Sequence, residues 1–596
     1  MQTFIRLTSI VLYLFGTFVF LPSARAEDRW TEVRSPHFRV ITDGSEKDGR
    51  RVAEQFEQMR YVIHYRFPAF RLEGYSPFTV IAVRNESSLL HLQPSLAQFP
   101  PIPVAMFLAS WERVIALVRL DATTHSYNEY VNYVLEVNSE ELPAWLSVGL
   151  SDFFAATDFT DQKIRIGLHP ETWGELNQQT VLSVNKLIGP LGADMWKDPQ
   201  KIWAFRAESW ALVHYMTFGT GMDGGRLLAE YYDRIQKGVK DQQAFTEVFG
   251  DPALVDEKFQ AYIRNNPWTV ASIPSAPPLA AADFTTRSLS VAEALYEKGL
   301  FRVDSGDPAG GRKLLEKAIA QEPKLGAAHE ELGYLNYDDG DDEKARSEWK
   351  IASEADPMLY RSLFALVKTG VPIRDQTPEQ RTESVANLRN VLRANARYAP
   401  AYMEIARLFL WQGNLNGALS SAEAGEALEP RRYSPHFLSA RILLAQGRGK
   451  ETASIVRRAA DHAGEPEKYE LAGLWGQIPK ADRGSGPDIT FKAPTGALVQ
   501  QGRIRTANCS NRKKDKEATL MFLPAGGDES STVKLTRKEG SRQNWEDTLW
   551  VGGGHFYRFS GCHYSDGLQA STAYTPTEHG QGQILWVELH EDYPKP

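Results

Sequence analysis

The stretch YNEYVNYVLEVNSEELPAWLSVGLSDFF, residues 127–154, decides how the first half of this 596-residue chain is interpreted. Apolar residues recur through both of its halves, and Pro143 divides them. Because proline fits the first turn of a helix but disrupts a helix interior, we predict one helix that ends before Pro143 and another that begins there. Asn128 and Asn132 are four residues apart, so their side chains share one face of the first helix.

Short runs before these helices predict a small sheet within the same block, residues 27–270. Apolar residues at helical spacing predict a helix after the first strands, and a later run predicts another helix that Gly219 ends. The predicted strands lie in WTEVRSPHFRVITD (30–43), PFTVIAVR (77–84) and RVIALVRL (113–120), and the predicted helices are EKDGRRVAEQFEQMRYVIHYRF (46–67) and AESWALVHYMTFG (207–219).

This block resembles the gluzincin metallopeptidases of the peptidase-MA-like type over residues 30 to about 265. The resemblance is carried by WTEVRSPHFRV (30–40), by NEYVN (128–132) with LPAWLSVGL (142–150), and by ESWALVHYM (208–216). Such enzymes bind zinc through the two histidines of His-Glu-x-x-His on one helix and a glutamate on the next, and the motif's own glutamate takes a proton from the zinc-bound water. The resemblance implies a zincin-like fold for residues 27–270.

Matched residue by residue, each zinc ligand of that family is replaced in this chain. Asn128 and Asn132 stand where the histidines belong, and Val148 stands where the glutamate of the second helix belongs. Glu129 keeps the position of the base. An amide oxygen is a weak zinc donor compared with imidazole, and valine offers no donor. We therefore predict a pseudopeptidase with no bound metal, no cofactor and no catalytic residue.

A different set of metal ligands is the alternative. His125 and Glu129 are also four residues apart, and Asp152 lies one turn beyond Val148, so a shifted cluster would give an active zinc metallopeptidase. Against it, His125 fits a helix start, and Glu129 fits a hydrogen bond with the asparagines. His214 is interpreted as a buried, hydrogen-bonded histidine rather than a ligand.

Residues 271–286 are rich in proline and alanine and predict a linker before a helical, repetitive region, residues 287–480. The period is 34 residues, and the residues that recur at that interval are Gly299 and Gly333, Gly306 and Gly340, Ala318 and Ala352, Pro323 and Pro357, and Gly413 and Gly447. This pattern resembles the tetratricopeptide repeat (TPR), in which small residues let two antiparallel helices approach. We predict an α-solenoid.

A solenoid of this kind presents a concave surface that holds extended peptides or helices. The candidates for lining a peptide groove are Tyr334, Tyr337, Trp349 and Tyr402. Packing between helices is the alternative for the same four residues. The predicted partner is accordingly a protein or peptide.

The tail, residues 486–596, has short runs of β-branched and aromatic residues between turns rich in Gly, Asp and Ser. This predicts a small all-β domain, a sandwich or a barrel. Cys509 and Cys562, the two cysteines of the chain, are candidates for a disulfide, and two buried thiols are the alternative. The fold class predicted for the whole chain is α+β and multidomain.

The first 26 residues predict a secretory signal, because Arg6 precedes an apolar run that ends in the small residues of SARA. Export to the periplasm or out of the cell follows, with no membrane span after cleavage; an uncleaved membrane anchor is the alternative. The net charge of −8 makes the chain a poor general binder of nucleic acid.

Together these features predict an exported protein-interaction or scaffold protein whose peptidase-like domain is inactive. Two alternatives stand beside it. One is an active zinc metallopeptidase with non-standard ligands, and the other is a purely structural protein whose domains space one another.

Overall fold

The computed structural model of the chain describes most of residues 29–489 and seven strands between residues 502 and 587. The described ranges before the tail are 29–68, 70–74, 78–98, 102–109, 113–121, 128–138, 142–159, 163–169, 182–189, 199–236, 239–265, 268–371, 373–429, 433–461, 465–486 and 488–489. The predicted signal sequence, residues 1–26, and both cysteines lie outside the described residues.

A six-stranded mixed sheet forms the centre of the N-terminal block. Its strands are β1 Thr31–Arg34, β2 Arg39–Thr42, β3 Phe78–Val83, β4 Ala105–Ala109, β5 Val114–Arg119 and β9 Thr285–Ser288. They lie in the order β4-β5-β3-β2-β1-β9, with β2, β3 and β5 parallel and the other neighbours antiparallel. Val80, Ile81, Ala82 and Val83 are all buried, as expected where both faces of a sheet are covered.

Helices lie against both faces of this sheet, and some extend beyond it. Their bounds are α1 Glu46–Arg66, α2 Glu86–Leu92, α3 Asn128–Asn138, α4 Ala144–Ala155, α5 Val184–Leu187, α6 Pro199–Phe218, α7 Arg226–Gln236, α8 Asp241–Phe249 and α9 Pro252–Asn265. Helix α1 begins with a capping box between Ser45 and Asp48 and buries Val52, Phe56 and Met59, three of the apolar positions from which the sequence predicted it.

Two strands include residues of the segment predicted as a linker, 271–286. The first lies within the segment, and the second crosses its C-terminal end. β8, Ala271–Pro274, pairs with β7, Lys163–Ile166, which also pairs with β6, Asp158–Phe159. β9 pairs with β1, so the chain returns to the N-terminal sheet before it enters the repeats. The prolines and alanines that suggested a linker lie mostly between these two strands.

Paired antiparallel helices follow from residue 291 onward. Their bounds are α10 Val291–Asp304, α11 Pro308–Gln321, α12 Gly326–Asp338, α13 Asp342–Ala355, α14 Tyr360–Lys368, α15 Pro378–Ala394, α16 Ala399–Trp411, α17 Leu415–Leu428, α18 Tyr433–Ala445, α19 Gly449–Asp461 and α20 Glu465–Gln477. The predicted helical repeats are thereby present. Gly306, Gly340, Gly413 and Gly447 each have a positive φ at the turn between two helices, which explains their regular recurrence.

The tail contains two antiparallel sheets, as far as its described strands show. The strands are β10 Gly502–Ala507, β11 Thr519–Pro524, β12 Val533–Thr536, β13 Asp547–Val551, β14 His555–Ser560, β15 Ser571–Thr575 and β16 Gln583–Val587. β10 to β12 form one sheet and β13 to β16 the other. Across the part of the chain that the structure describes, none of the helices has the length and apolar content that crossing a bilayer requires.

Candidate functional site

Helices α3 and α4 pack against each other and carry the three positions that the sequence resemblance equates with zinc ligands. Asn128 is the first residue of α3, Asn132 lies one turn later, and Val148 lies on α4. Asn132 and Val148 are half-buried, and Val148 packs against the apolar core of the block. The side chains of Asn128 and Glu129 lie outside the described residues.

Helix α4 is held in place by a tryptophan and a glycine. Trp145 is buried, and its ring centre lies 5.6 Å from that of Tyr231 and 6.3 Å from that of Phe245. Gly149 faces α6, where a Cβ atom would lie only 2.4 Å from the backbone oxygen of Ser209. The Trp-Leu-Ser-Val-Gly run therefore fixes how closely α4 and α6 approach, which is a packing role.

Asp152, a member of the alternative metal cluster, is engaged by a cation. Its side chain is buried, and Oδ1 accepts a hydrogen bond from Nη2 of Arg206 on α6. Within the described residues, no group of three or more His, Cys, Asp or Glu side chains could hold a metal ion. His125 lies outside the described residues, as does the side chain of Glu129, so that cluster stays an alternative.

Glu208 on α6 is a buried acid that sequence reasoning missed. Only 1% of it is exposed, and Oε1 accepts a 2.9 Å hydrogen bond from the backbone N–H of Leu182. Oε2 has no hydrogen-bond partner among the described residues. Burial raises the pKa of this carboxyl to about 7. The sequence carried no signal for this, because glutamates are rarely buried unless they are paired.

His214, on the same helix, is the buried and hydrogen-bonded histidine that the sequence predicted. Its Nδ1 lies 2.7 Å from the hydroxyl of Tyr262, and its Nε2 lies 3.2 Å from the carbonyl oxygen of Gly167 and 3.1 Å from that of Thr269. Burial lowers the pKa of the imidazole to about 4, so His214 is neutral near pH 7.

The aromatic groove candidates fall into two places. Tyr334 and Tyr337 on α12 both pack against Trp349 on α13, with ring centres 5.1 and 5.8 Å from that of the indole. Trp349 is buried against Gly333, so it packs between helices and does not line a groove. Tyr334 is half-buried beneath the guanidinium of Arg361, 4.4 Å from its ring centre.

Tyr402 lies apart from those three aromatic residues, on α16. It is half-buried, and its hydroxyl donates a 3.2 Å hydrogen bond to the carbonyl oxygen of Ala396. Tyr337 and Tyr402 thus retain partly exposed surface on the first helices of two separate helix pairs. These two residues are the groove candidates that we keep.

The N-terminal block packs directly on the helical array. Ala294 and Phe301 of α10 complete an apolar cluster with Ile41, Ile81 and Leu117 from the second face of the sheet. On the same side of α10, Glu297 pairs with Arg39 of β2, and Asp304 pairs with Arg113 just before β5. The first helix of the array is therefore also a cover for the sheet.

Arg113 extends this interface into the second helix pair. It donates to Asp304 at 2.7 Å and to both carboxylate oxygens of Glu331 on α12, at 2.5 and 2.9 Å. Arg361 on α14 donates to the same glutamate at 2.5 Å. Burial raises the pKa of Glu331, but the charges of Arg113 and Arg361 outweigh burial and lower it to about 2.

A second contact joins the two regions farther along the array. The backbone oxygen of Glu73 accepts a 3.1 Å hydrogen bond from Arg397, and Arg71 lies 3.4 Å from the carbonyl oxygen of Leu428. The N-terminal block therefore touches the array both at its first helices and near α16 and α17.

Comparison with solved structures returns proteins built from tetratricopeptide repeats. A thermophilic TPR protein of Thermus thermophilus is 19% identical and matches 31% of this chain and 98% of its own, with a TM-score of 0.25. PilF of Pseudomonas aeruginosa is 16% identical over 31% of this chain and 85% of its own, at 0.27. MamA of Desulfovibrio magneticus is 14% identical over 29% and 95%, at 0.25. Such low scores carry no conclusion about activity or partners.

No protein-family model matches the chain, and no curated protein matches it either.

Proposed function

We propose that this protein is an exported scaffold that binds a protein partner through its helical array, and that its peptidase-like domain is catalytically inactive. The observation that carries the proposal is the array of paired helices from residue 291 to residue 461, with its 34-residue repeat. Stacked helix pairs of this kind build a continuous surface that suits an extended peptide or a helix. The features of residues 1–26 support export.

Inactivity of the N-terminal domain is supported by the residue types on α3 and α4. Asparagine and valine replace the imidazole and carboxylate groups on which zinc binding in the resembled family depends. Nearby, the carboxylate of Asp152 is bound by Arg206. The domain instead contributes packing, because its sheet holds α10 and Arg113 holds α12.

Site-specific photo-crosslinking tests the scaffold function on the mature chain, residues 27–596. A benzophenone amino acid that replaces Tyr337 should give a discrete adduct with a partner protein in extracts of the native host. The same group at Lys313, an exposed residue of α11, is the matched control and should give no such adduct. The partial exposure of Tyr337 allows the larger side chain to be placed there.

Two results would contradict the proposal. Equal adduct patterns at both positions, or none, would favour a protein whose domains only space one another. Stoichiometric zinc retained by the purified mature chain through dialysis would contradict the inactive domain. A variant with Asn128→His, Asn132→His and Val148→Glu is the positive control for that metal measurement, since it restores the three ligand types.

A further inference from the structure

A basic pocket lies near the end of the helical array, between α19 and the turn at residues 480–484. Its volume is about 460 Å³, and it is lined by Lys450, Ser454, Arg457, Arg458, Ala481, Asp482, Arg483 and Gly484. Four of these eight residues are cations and one is an acid, in a chain whose net charge is −8. The pocket is therefore positively charged, although the protein as a whole carries a net negative charge.

Two arginines of the lining, Arg457 and Arg483, are held by an aromatic ring and by backbone oxygens. Their Cζ atoms lie 4.8 Å (Arg457) and 5.7 Å (Arg483) from the ring centre of Trp475, which is buried. Arg457 Nη2 donates a 2.6 Å hydrogen bond to the carbonyl oxygen of Arg483, and Arg483 Nε donates one of 3.0 Å to Ile478. Both guanidinium groups are thus oriented in advance of any ligand.

Most of the positive charge in the lining is not paired with an acid. Among the described residues, no carboxylate lies within 4 Å of the charged groups of Lys450, Arg457 or Arg483, whereas Arg458 pairs with Glu426 at 3.0 Å. The Nε atom of Arg457 is buried and has no hydrogen-bond partner in the same set of residues. Donors of this kind favour an anionic ligand, because a cation that has no acidic partner is stabilised most by binding an anion.

The acid in the lining, Asp482, lies against the start of α19. A Cβ atom on Gly449 would lie 2.4 Å from its Oδ2 atom. The N-terminal end of a helix stabilises a negative charge, which gives this carboxylate a reason to lie there. The negative charge of Asp482 repels a second anion nearby, so removing that charge should strengthen anion binding.

We propose that this pocket binds carboxylate side chains of an acidic peptide segment. The proposal deepens the scaffold function and rests on it, because the segment belongs to the protein partner. Planar guanidinium groups can bind a carboxylate by donating two parallel hydrogen bonds to it, and Lys450 and Ser454 add further donors. The volume suits one or two side chains and is too small for a folded domain. The pocket lies on α19, the second helix of its pair, and so is separate from the Tyr337 surface.

Fluorescence anisotropy with a labelled hexaglutamate peptide tests the pocket on the mature chain. We expect binding that weakens as salt is raised. Lys450→Gln should weaken it at least about threefold, since one exposed ionic contact is removed. Asp482→Asn should strengthen it, and Lys313→Gln, which removes an exposed lysine far away in the sequence, should leave it unchanged. Lys450 is exposed, so its replacement does not threaten the fold.

Three outcomes would overturn the proposal. They are no binding of the peptide, equal affinities for the mature chain and its Lys450→Gln variant, and displacement of the peptide by inorganic phosphate at lower concentration than by free glutamate. The last would identify a phosphate site. If the peptide fails to bind while the Tyr337 adduct persists, the pocket assignment fails and the scaffold function stands. If both fail, the scaffold function fails as well.

Discussion

At the scale of the residue, Glu208 is the titratable group with the clearest consequence for stability. Its pKa is raised by burial from about 4.5 to about 7, so the folded protein holds a proton that the unfolded chain has released. Stability should therefore fall as pH rises from about 4.5 through 7. We expect Glu208→Gln to be more stable than the parent at pH 8 by roughly 2–3 kcal/mol, and nearly equal to it at pH 5.

Thermal unfolding at the two pH values measures this difference. Glutamine keeps the acceptor for the N–H of Leu182, so the variant changes the charge and little else. Glu257→Gln, at an exposed position of α9, is the control and should behave like the parent at both pH values. A gain in stability of the same size at pH 5 and pH 8 would show that the carboxyl of Glu208 does not titrate in this range.

At the scale of the element, the recurring glycines of the array can be tested directly. A Cβ atom on Gly333 would lie 2.4 Å from Cδ1 and from Nε1 of the buried Trp349. Alanine normally stabilises a helix relative to glycine, but here we expect Gly333→Ala to destabilise the protein by about 1–3 kcal/mol through overpacking. Gly473→Ala lies on α20, where no described atom outside the helix's own backbone is within 4 Å of the added carbon, and it should instead be neutral or stabilising by up to about 1 kcal/mol. Urea unfolding distinguishes the two signs, and a stabilising Gly333→Ala would show that α12 and α13 do not pack this closely.

These same glycines explain how much of the array could be predicted. The 34-residue interval between Gly299 and Gly333 is a property of the chain itself, because each helix pair repeats the same close approach. Trp349 shows the limit, since an aromatic residue at helical spacing suits a groove or an interface equally well. Its burial depends on which face of α13 meets α12, and this follows only from the three-dimensional packing. The positions of Asn132 and Val148 on adjacent helices, by contrast, followed from Pro143 and from the spacing of the residues around it.

At the scale of the whole molecule, the sequence predicts an N-terminal block and an array that are separate and joined by a linker. The structure shows contacts that no local pattern could reveal, because Arg113 and Glu331 are 218 residues apart. A charged residue in a sequence is expected at the surface, and only its partners reveal that it is buried. The division of the chain into domains stays a prediction, but β9 and the apolar face of α10 tie the two regions together.

The ion pairs of Arg113 give the last prediction, which concerns the cooperativity of the whole chain. Its side chain is 14% exposed and that of Glu331 is 2% exposed. Arg113→Met would take this cation from Asp304 and would leave Glu331 with Arg361 as its remaining partner among the cations described. Removing one partner of a buried ion pair costs about 3–5 kcal/mol, because the other charge stays buried. We expect calorimetry to show that the array unfolds at a lower temperature, in a transition separate from that of the N-terminal block. Amide exchange in α12 should also be faster.

The control is Arg448→Met, which removes an exposed pair with Glu451 and should change neither the unfolding transitions nor the amide exchange. The double variant with Glu331→Gln should recover part of the loss, since it removes a buried carboxylate that has kept only one of its two cations. A single unfolding transition at an unchanged temperature in Arg113→Met would show that the two regions are not coupled through this cluster.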